Sequence, residues 1–539
     1  MIRNVRYDAI VIGGGVNGLT CAALLGKAGQ RTLLLERRDV VGGCAAEHEL
    51  APGFRVPTLA HRTGPLRSDV VDGLRLNEFG LSFMPSPIRF TALSERGPAL
   101  AIHADVAKAA EAIRPCSVKD AASWPAFARS LSQVAGVAAS LFARTPPDVD
   151  DAGTEDLWTL MRAARAFRAL ARDDQWRLLR WGPMAVADLV SEVFETELLR
   201  AAVAADGLLG TMLGPWSAGS GLQLVLHEAN RSVGASTDSE VEGGPAAVAR
   251  ALGGAAARHG VDVRTGAEVA EILVSKDRAA GVRLASGETF EARAIVSGVD
   301  PKRTFGGLCD AEHLPPEFLW RIKHLRARGV LAKVNLALSA LPAVAGATRD
   351  MLASPMRIAP SLDYLERAFD HAKYGEWSPE PWIEFVIPSV ADTSLAPKGA
   401  HVLSAYVQWV PNHTGSRELG TGSRMAREAG LREPDDKGLL GNVVDTLDRY
   451  APGLKGLVTA AELITPADLE RGWSLTGGHI FHGELTLDQA FTMRPLLGYG
   501  SYRTPIPGLY LCGSGTHPGT GLTGGSGANA ARVIIEALH

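Results

Sequence analysis

Three short segments with different hydrophobic patterns open the chain. The apolar run Ala9 to Ile12 is too short for a helix and predicts a buried parallel strand. Val16 to Ala28 carries small and apolar residues on one helical face and predicts a helix that ends at Gly29. A second strand is predicted over Arg31 to Leu35. This order predicts a β-α-β unit whose two strands are parallel.

The turn between the first strand and the helix contains three glycines in the order G-x-G-x-x-G. Gly13 permits a tight turn, Gly15 lets a pyrophosphate approach the backbone, and Gly18 lets the helix pack close to the strand. The helix N-terminus, at Val16 and Asn17, offers free N–H groups and a partial positive charge. We therefore predict a dinucleotide site here, and the alternative is a tight turn with a purely structural role.

The end of the second strand supplies candidate contacts for the rest of the nucleotide. Glu36 is placed to accept hydrogen bonds from the adenosine ribose hydroxyls, and Arg37 beside it is a further candidate. Gly42 and Gly43 follow in the segment ERRDVVGG. A glycine pair at this position can bring a second backbone segment against the same pyrophosphate, as in flavoproteins that bury an extended FAD. The pair favours FAD over a nicotinamide dinucleotide.

Between residues 77 and 235 the pattern becomes mainly helical. Helices are predicted over Ala104 to Ile113, Ala121 to Ala143 and Leu157 to Leu179. The third is strongly basic, with four arginines at helical spacing between apolar residues: Arg162, Arg165, Arg168 and Arg172. One interpretation is a helix that lies on a membrane or flanks the mouth of a lipid tunnel. The preferred interpretation is a solvated face paired with Asp173 and Asp174.

The middle of the chain returns to strand patterns. Residues 236 to 303 predict one helix, Ala246 to His259, and then a series of strands: Val261 to Arg264, Glu268 to Val274, Ala279 to Leu284, Glu288 to Ala292 and Ala294 to Ser297. Residues 304 to 465 predict further strands at Val330 to Leu338, Trp382 to Ile387 and His401 to Trp409. Leu208 to Leu226 predicts either the wall of an apolar pocket or a core segment, and the polar segment 412–437 predicts a surface loop.

A second glycine-rich block lies near the C-terminus, between a predicted strand at Leu509 to Cys512 and a helix at Ala528 to Leu538. Bare backbone before a helix N-terminus suits a flavin, whose ribityl chain and O2 atom it can contact. The candidate contacts are Gly513, Ser514, Gly524 and Gly525. Five histidines are candidates to face the flavin or substrate, of which the first three are proposed as catalytic: His517, His482, His479, His48 and His61. No metal site is predicted, because no H-E-x-x-H pattern accompanies them.

Composition narrows the function further. The 539 residues suffice for two or three domains, and a formal net charge of −4 gives no electrostatic case for nucleic acid. Five widely spaced cysteines without a C-x-x-C pair suggest neither a redox disulfide nor zinc. The N-terminus leads into the first strand without a signal-like segment, and no apolar run reaches about 18 residues. A cytoplasmic protein is expected, with membrane association as the alternative, and the oligomeric state stays open.

Both glycine blocks resemble those of the flavin amine oxidase and phytoene desaturase family. The resemblance implies an α/β fold, with a Rossmann-like FAD-binding domain (1–76, 236–303 and 466–539) and an inserted α+β substrate-binding domain (77–235 and 304–465). It also implies that the backbone of Val269 meets the adenine. An arginine commonly follows the glycine pair in that family, whereas this chain has Cys44 and Ala45. That arginine contact is therefore not carried over.

The same resemblance implies an FAD-dependent oxidoreductase of the desaturase or dehydrogenase type. Its flavin N5 would accept a hydride from an apolar, isoprenoid or lipid-like substrate, and oxygen or a quinone would reoxidise it. Three alternatives stay open: a flavin amine oxidase, an FAD-dependent isomerase, and a regulatory flavoprotein without catalysis. Only one G-x-G-x-x-G follows a strand and opens a helix, so no built-in NAD(P) domain is expected.

Overall fold

The computed structural model describes residues 6–95, 97–148, 153–236, 238–412, 436–519 and 521–539. Its strands, in chain order, are β1 (Tyr7–Ile12), β2 (Thr32–Leu35), β3 (Glu47–Ala51), β4 (Phe54–Pro57), β5 (Phe83–Pro85), β6 (Ile88–Ala92), β7 (Leu100–His103), β8 (Ser239–Val241), β9 (Asp262–Arg264), β10 (Val269–Ser275), β11 (Arg278–Leu284), β12 (Thr289–Ser297), β13 (Leu331–Leu338), β14 (Met356–Ile358), β15 (Ile383–Val386), β16 (His401–Gln408), β17 (Val458–Ile464) and β18 (Leu509–Leu511). Residues 413–435 of the predicted surface loop lie outside the described residues.

The α-helices connect and cover these strands. In chain order they are α1 (Val16–Lys27), α2 (Ser68–Leu74), α3 (Val106–Ile113), α4 (Val118–Phe142), α5 (Thr154–Ala169), α6 (Arg172–Trp181), α7 (Val186–Ser191), α8 (Glu197–Ala204), α9 (Ser220–Ser232), α10 (Gly244–Arg258), α11 (Pro301–Arg303), α12 (Pro316–Lys323), α13 (Arg349–Leu352), α14 (Leu362–Lys373), α15 (Asp436–Tyr450), α16 (Leu454–Leu457), α17 (Pro466–Trp473) and α18 (Gly525–Leu538). Within the described ranges, no helix combines the length and the apolar character needed to cross a bilayer.

The first sheet has seven strands in the order β10-β11-β12-β1-β2-β9, with β18 also paired to β12. Strands β9, β2, β1, β12 and β18 run parallel, and β10 and β11 form an antiparallel edge. Helices α1, α10 and α18 pack together on one face of this sheet. Phe305 and Phe318 belong to the core on the other face. Burial on both faces explains the continuous apolar runs in β1, β2 and β18.

The second sheet has the order β17-β13-β16-β15-β14-β6-β7, and its neighbours are antiparallel except for β14 with β6. Val334, Phe385 and Val407 point from one face into a core shared with α15. A mainly helical core, which includes Phe127 and Phe194, is built from α3, α4, α6, α7, α8, α9 and α14. The two sheets and this helical layer together position the site described below.

Two predicted elements are wrong in their extent. The predicted strands Glu288 to Ala292 and Ala294 to Ser297 are one strand, β12, which pairs antiparallel with β11 at its start and parallel with β1 further on. Arg293 breaks the apolar pattern of the strand but does not break the strand pairing. Its side chain is exposed and donates to the Leu538 carbonyl at 3.0 Å. The predicted helix Leu157 to Leu179 is two helices, α5 and α6, because the backbone at Leu170 is extended.

Candidate functional site

A large cavity runs from the turn after β1 to the second sheet and α9. It encloses about 3070 Å³ of space free of protein atoms, part of it open to solvent. Its lining joins the glycine turn after β1 to the second sheet in one continuous space.

The turn after β1 presents bare backbone to this cavity. Gly13 has φ +98°, a conformation that L side chains rarely adopt. A Cβ at Gly18 would lie 2.0 Å from the Gly13 carbonyl oxygen, so α1 approaches β1 as closely as glycine allows. A Cβ at Gly15 would meet no protein atom within 4 Å. The turn thus has both features expected of a pyrophosphate cradle: close helix packing behind it and open space in front.

Glu36 closes this end of the cavity. Its carboxylate accepts hydrogen bonds from the Gly14 N–H at 2.7 Å and the Arg38 N–H at 2.9 Å. The Arg38 guanidinium lies 4.9 Å from the ring centroid of Trp473. Arg38 Nη1 and Trp473 Nε1 are buried and have no hydrogen-bond partner among the described residues. Buried donors normally have partners, so these two fit the acceptor atoms of a bound nucleotide.

The second glycine block meets the first at the cavity wall. Asn17 Nδ2 donates to Ser514 Oγ at 3.1 Å, and a Cβ at Gly527 would lie 2.1 Å from the Asn17 carbonyl oxygen. Ten predicted cofactor contacts line the cavity: Gly13, Gly15, Val16, Asn17, Gly18, Glu36, Arg37, Gly43, Val269 and Ser514. The remaining four do not line it: Gly42, Gly513, Gly524 and Gly525. Gly42 instead supports the turn from behind, since its N–H donates to the Gly14 carbonyl at 2.7 Å.

Two of the three proposed catalytic histidines, His479 and His482, line the cavity. Burial lowers the pKa of His479 to about 3 and also lowers the pKa of His482. His479 Nε2 and His482 Nδ1 are buried without a hydrogen-bond partner in the described part of the chain. Both rings are therefore neutral at pH 7 and each keeps one nitrogen available for a ligand.

His517, the third candidate, is placed elsewhere. Its Nε2 lies 3.2 Å from the Leu141 carbonyl oxygen, and its ring packs edge-on against Phe142 and Phe491. It is not part of the cavity lining. Its ring therefore occupies an aromatic pocket beside α4, and a contact of His517 with the flavin edge stays a prediction. His48 also lies outside the lining, with Nε2 3.1 Å from Glu462.

A row of four polar side chains crosses the second sheet, and sequence reasoning did not identify it. Lys333, Tyr406, Glu384 and Arg357 are direct cross-strand neighbours on β13, β16, β15 and β14. All four line the cavity. Their neighbours along each strand point the other way, into the core shared with α15. Cross-strand neighbours on one face have Cβ atoms about 5 Å apart, so the row forms one connected polar surface.

The row begins with a buried lysine–histidine pair at one end and has an ion pair at the other. Lys333 Nζ lies 3.1 Å from His61 Nδ1, and burial lowers the pKa of Lys333 well below its ordinary value. Burial and the nearby Lys333 lower the pKa of His61 to about 3. Burial alone would raise the pKa of Glu384, but Arg357 and His61 hold it below its usual range. His61 is therefore uncharged at pH 7, whereas Glu384 is ionised.

Arg357 is the centre of the charged part. Its Nε donates to Glu384 at 2.8 Å, its Nη1 donates to the Ala202 carbonyl at 2.7 Å, and its Nη2 bonds Asp206. Arg357 and Glu384 are each only 3% exposed. A buried ion pair of this kind is stable only when its remaining hydrogen-bonding groups are also satisfied.

Helix α9 forms the facing wall. Gln223 and Leu226 line the cavity from it, and Leu209, Phe481 and Leu485 add apolar surface. Gln223 Nε2 is buried and has no hydrogen-bond partner among the described residues. The predicted segment Leu208 to Leu226 thus contributes to the cavity as well as to the helical core.

Other chemistries lack the groups they need in the described part of the chain. It holds no cluster of three or more histidine, cysteine or carboxylate side chains that could bind a metal. All five cysteines are free thiols. Disulfide chemistry would require an accessible dithiol, and the adjacent thiols of Cys21 and Cys512 are both buried.

Comparison with known proteins agrees with the glycine cradle. The model of the flavin containing amine oxidoreductase family matches residues 17–339. Pyridine nucleotide-disulfide oxidoreductase domain-containing protein 2 of Rattus norvegicus is 34% identical, over 99% of this chain and 94% of that protein. A lycopene-forming phytoene desaturase of Pseudescherichia vulneris is 27% identical, over 98% of this chain and 99% of that protein.

A solved structure shares the fold. An engineered putrescine oxidase superposes with a TM-score of 0.61 at 15% identity, covering 99% of this chain and 98% of the other. This similarity shows the fold, and the family match together with the glycine cradle establishes FAD as the cofactor. The chain belongs to the flavin containing amine oxidoreductase family and is an FAD-dependent oxidoreductase.

Proposed function

We propose that this protein is a dehydrogenase or desaturase that removes a hydride from a largely apolar substrate with a polar end. The observation that carries the proposal is the continuous cavity between the glycine cradle at Gly15 and the polar row at Lys333. When bound, FAD supplies the hydride acceptor, and the protein binds, orients and excludes water. A phytoene desaturase among the relatives supports the desaturase type.

The two-domain division predicted above is part of this proposal. The strands of the first sheet come from residues 7–35, 262–297 and 509–511, which fall in the three segments of the proposed FAD-binding domain. Those of the second sheet come from 88–103 and 331–464, in the two segments of the proposed substrate-binding domain. The ten cavity-lining residues named above are the proposed FAD contacts, with Val269 on the adenine side.

Lys333 is the residue we propose to handle protons. As a neutral amine it can accept a proton at Nζ, and His61 Nδ1 at 3.1 Å can share that proton. His61 Nε2 lies 3.7 Å from Glu384, whose charge is already balanced by Arg357. The negative charge of Glu384 would therefore stabilise the protonated form of Lys333, while Glu384 keeps its ion pair with Arg357. His479 and His482 are proposed as neutral contacts to the flavin or the substrate.

The lining supports a substrate with two different ends. Leu209, Leu226 and Phe481 offer an apolar surface, and the row from Lys333 to Arg357 offers a polar one. Contact of a pure hydrocarbon with buried polar groups would leave those groups without solvation. A molecule with an apolar body and one polar group matches both surfaces. Oxygen or a quinone is the proposed electron acceptor, and a cytoplasmic location with peripheral membrane contact completes the proposal.

The first experiment is a visible spectrum of the purified protein before and after anaerobic dithionite, followed by identification of the released cofactor by mass. Flavin bands that bleach and released FAD are the expected result. Protein without these bands that also fails to take up added FAD would contradict the proposal.

Substrate class is tested next, with dodecane, dodecanol, dodecanoate and dodecylamine as probes of one chain length. We expect dodecanol or dodecanoate to perturb the flavin spectrum at lower concentration than dodecane. Peroxide release with dodecylamine alone would instead support an amine oxidase.

Anaerobically reduced protein is then mixed with oxygen or with decylubiquinone, and the faster reoxidation identifies the acceptor. Lys333→Met should slow substrate oxidation while leaving the dithionite-bleached spectrum unchanged.

A further inference from the structure

The outward face of helices α5 and α6 differs from the rest of the surface. Six large apolar side chains on these two helices are between 46% and 59% exposed: Leu157, Trp158, Leu160, Met161, Trp176 and Leu179. They are six of the sixteen such side chains in the described part of the chain. On a surface helix of a globular protein the outward face is normally polar. Concentrated apolar exposure of this kind marks an interaction site.

Helical geometry shows which residues of α5 point outward. In α5, Thr159, Ala163 and Phe167 lie on the packed side and are buried or half-buried, as expected from their spacing of four. The apolar residues occupy the outward side of the first half of α5, and arginines occupy the outward side of the second half and the start of α6. These exposed arginines are Arg162, Arg165, Arg168 and Arg172.

The four arginines on this face have no ion-pair partner among the described residues. None of the four arginines forms an ion pair with a described residue, and Asp174 is bonded to Arg177 at 2.6 Å instead. Arg180 pairs with Glu192 at 2.6 Å, and Asp173 is the exposed acid nearest to the basic group. The expectation that Asp173 and Asp174 neutralise the basic helix is therefore wrong for Asp174. The segment from residue 154 to residue 181 contains six arginines and four acidic residues.

We propose that the α5–α6 face binds the surface of an anionic lipid bilayer. Exposed tryptophan, leucine and methionine next to unpaired arginines match the two parts of such a surface, the acyl boundary and the anionic headgroups. Tryptophan is particularly favourable at this depth, because its ring is apolar and its N–H is polar. The occupant we commit to is the bilayer, because charge complementarity favours it over an uncharged protein surface.

The location of the face connects it to the cavity. Helix α6 packs on α9, where a Cβ at Gly221 would lie 2.3 Å from the Trp181 carbonyl oxygen. Gln223 and Leu226 of the same helix α9 line the cavity. One helix layer therefore separates the proposed membrane face from the cavity. The inference rests on the peripheral membrane contact of the proposed function, but not on the substrate or the electron acceptor.

The test is co-sedimentation of the full-length holoprotein with phosphatidylcholine vesicles that contain or lack phosphatidylglycerol. We expect binding to the anionic vesicles, weaker binding to the neutral ones, and loss of binding as salt is raised. The variant Arg162→Gln, Arg165→Gln, Arg168→Gln and Arg172→Gln should bind at least about ten-fold more weakly. The matched control carries the same charge change at exposed positions elsewhere: Lys108→Gln, Arg258→Gln, Lys323→Gln and Lys398→Gln.

A second pair of variants tests the apolar part. Trp158→Ser with Trp176→Ser should reduce vesicle binding, whereas Trp320→Ser with Tyr374→Ser, which are also exposed, should not. Both pairs should keep the flavin spectrum of the parent protein, so failure here is distinct from failure of the proposed function. Equal binding by each variant and its control, or no binding to anionic vesicles, would overturn the proposal. A dimer in light scattering that the first tryptophan pair abolishes would also overturn it, in favour of self-association.

Discussion

The two ends of the cavity are built in different ways. The nucleotide end is made mainly of backbone, and its central part is one continuous turn from Gly13 to Gly18, which Ser514 of the second glycine block contacts. The substrate end is made of side chains from four strands that meet only through the register of the second sheet. A site made of backbone depends on side chains that are small or, at glycine, missing. A side-chain site depends on buried charges that stabilise one another, so substitutions should affect the two ends differently.

The largest effect is expected at the centre of the charged row. Arg357→Met removes the partner of Glu384 and Asp206, which are 3% and 9% exposed as side chains. Two buried carboxylates without a partner should lower the free energy of unfolding by about 3–5 kcal/mol. Urea denaturation measures the change. Arg114→Met, which breaks an exposed pair with Glu111, is the control and should lower the free energy of unfolding far less. Similar losses for both variants would mean that the row does not stabilise the fold.

Two substitutions in the glycine turn should have different effects, one on the stability of the apoprotein and the other on FAD binding. Gly18→Ala forces a Cβ to within 2.0 Å of the Gly13 carbonyl oxygen and should destabilise the apoprotein by about 1–3 kcal/mol or more. Gly15→Ala meets no protein atom within 4 Å and has an ordinary φ of −71°, so apoprotein stability should not change. Its methyl group points into the cradle, and we expect FAD to bind at least about ten-fold more weakly. Titration of the apoprotein with FAD measures this. Unchanged FAD affinity in Gly15→Ala would show that the pyrophosphate lies elsewhere.

The same contrast explains what could be predicted from the sequence. Gly15 and Glu36 belong to a motif whose spacing has a mechanical meaning, and both line the cavity. The parallel strands were predicted because burial on both faces leaves continuous apolar runs. The hydrophobic pattern does not predict the full extent of β12, because the single polar residue Arg293 looks like the end of a strand. It does not predict the break at Leu170 either, because no proline or glycine marks the extended backbone there.

The polar row was missed for a different reason. Lys333 in LAKVN and Glu384 in IEFV are each a single charge between apolar neighbours, a pattern that also fits a strand with one exposed side. Only the strand register makes them neighbours. A usable signal does exist, since a strand at the centre of a sheet has no solvent-facing side when both faces are covered. One charge in each of several apolar strands could therefore have been taken together as evidence of a buried polar surface.

Acid should lower the free energy of unfolding through the buried histidines. The pKa of His61, His479 and His517 is about 3 in the fold, and about 6.5 is expected in the unfolded chain. Because the folded pKa is lower, the stabilisation is complete above pH 6.5 and is lost as the pH falls towards 3. Each histidine should contribute a slope of about 1.4 kcal/mol per pH unit within that window.

The pH dependence of the free energy of unfolding, measured by urea denaturation at several pH values, checks this expectation. His61→Gln tests the substrate end and His517→Gln tests the pocket beside α4, and each should reduce the slope. Replacement of the exposed terminal His539 serves as the control. A slope that neither buried substitution changes would mean that these rings are protonated in the fold or accessible to water.

The smallest effect on stability is expected at the facing wall. Gln223 Nε2 is buried without a hydrogen-bond partner among the described residues, whereas Gln489 donates to the Arg326 and Glu484 carbonyls at 3.1 Å. Gln223→Leu should therefore leave the free energy of unfolding unchanged or raise it by up to about 1 kcal/mol. Gln489→Leu, with the same change in side chain, should lower it by about 1–3 kcal/mol. The holoprotein should show the reverse order in binding dodecanol, because the Gln223 amide is the one that is free to contact a ligand. If Gln223→Leu is as destabilising as Gln489→Leu, the amide is already satisfied without a ligand, and the facing wall must be regarded as part of the core rather than as a surface for the polar end of a substrate.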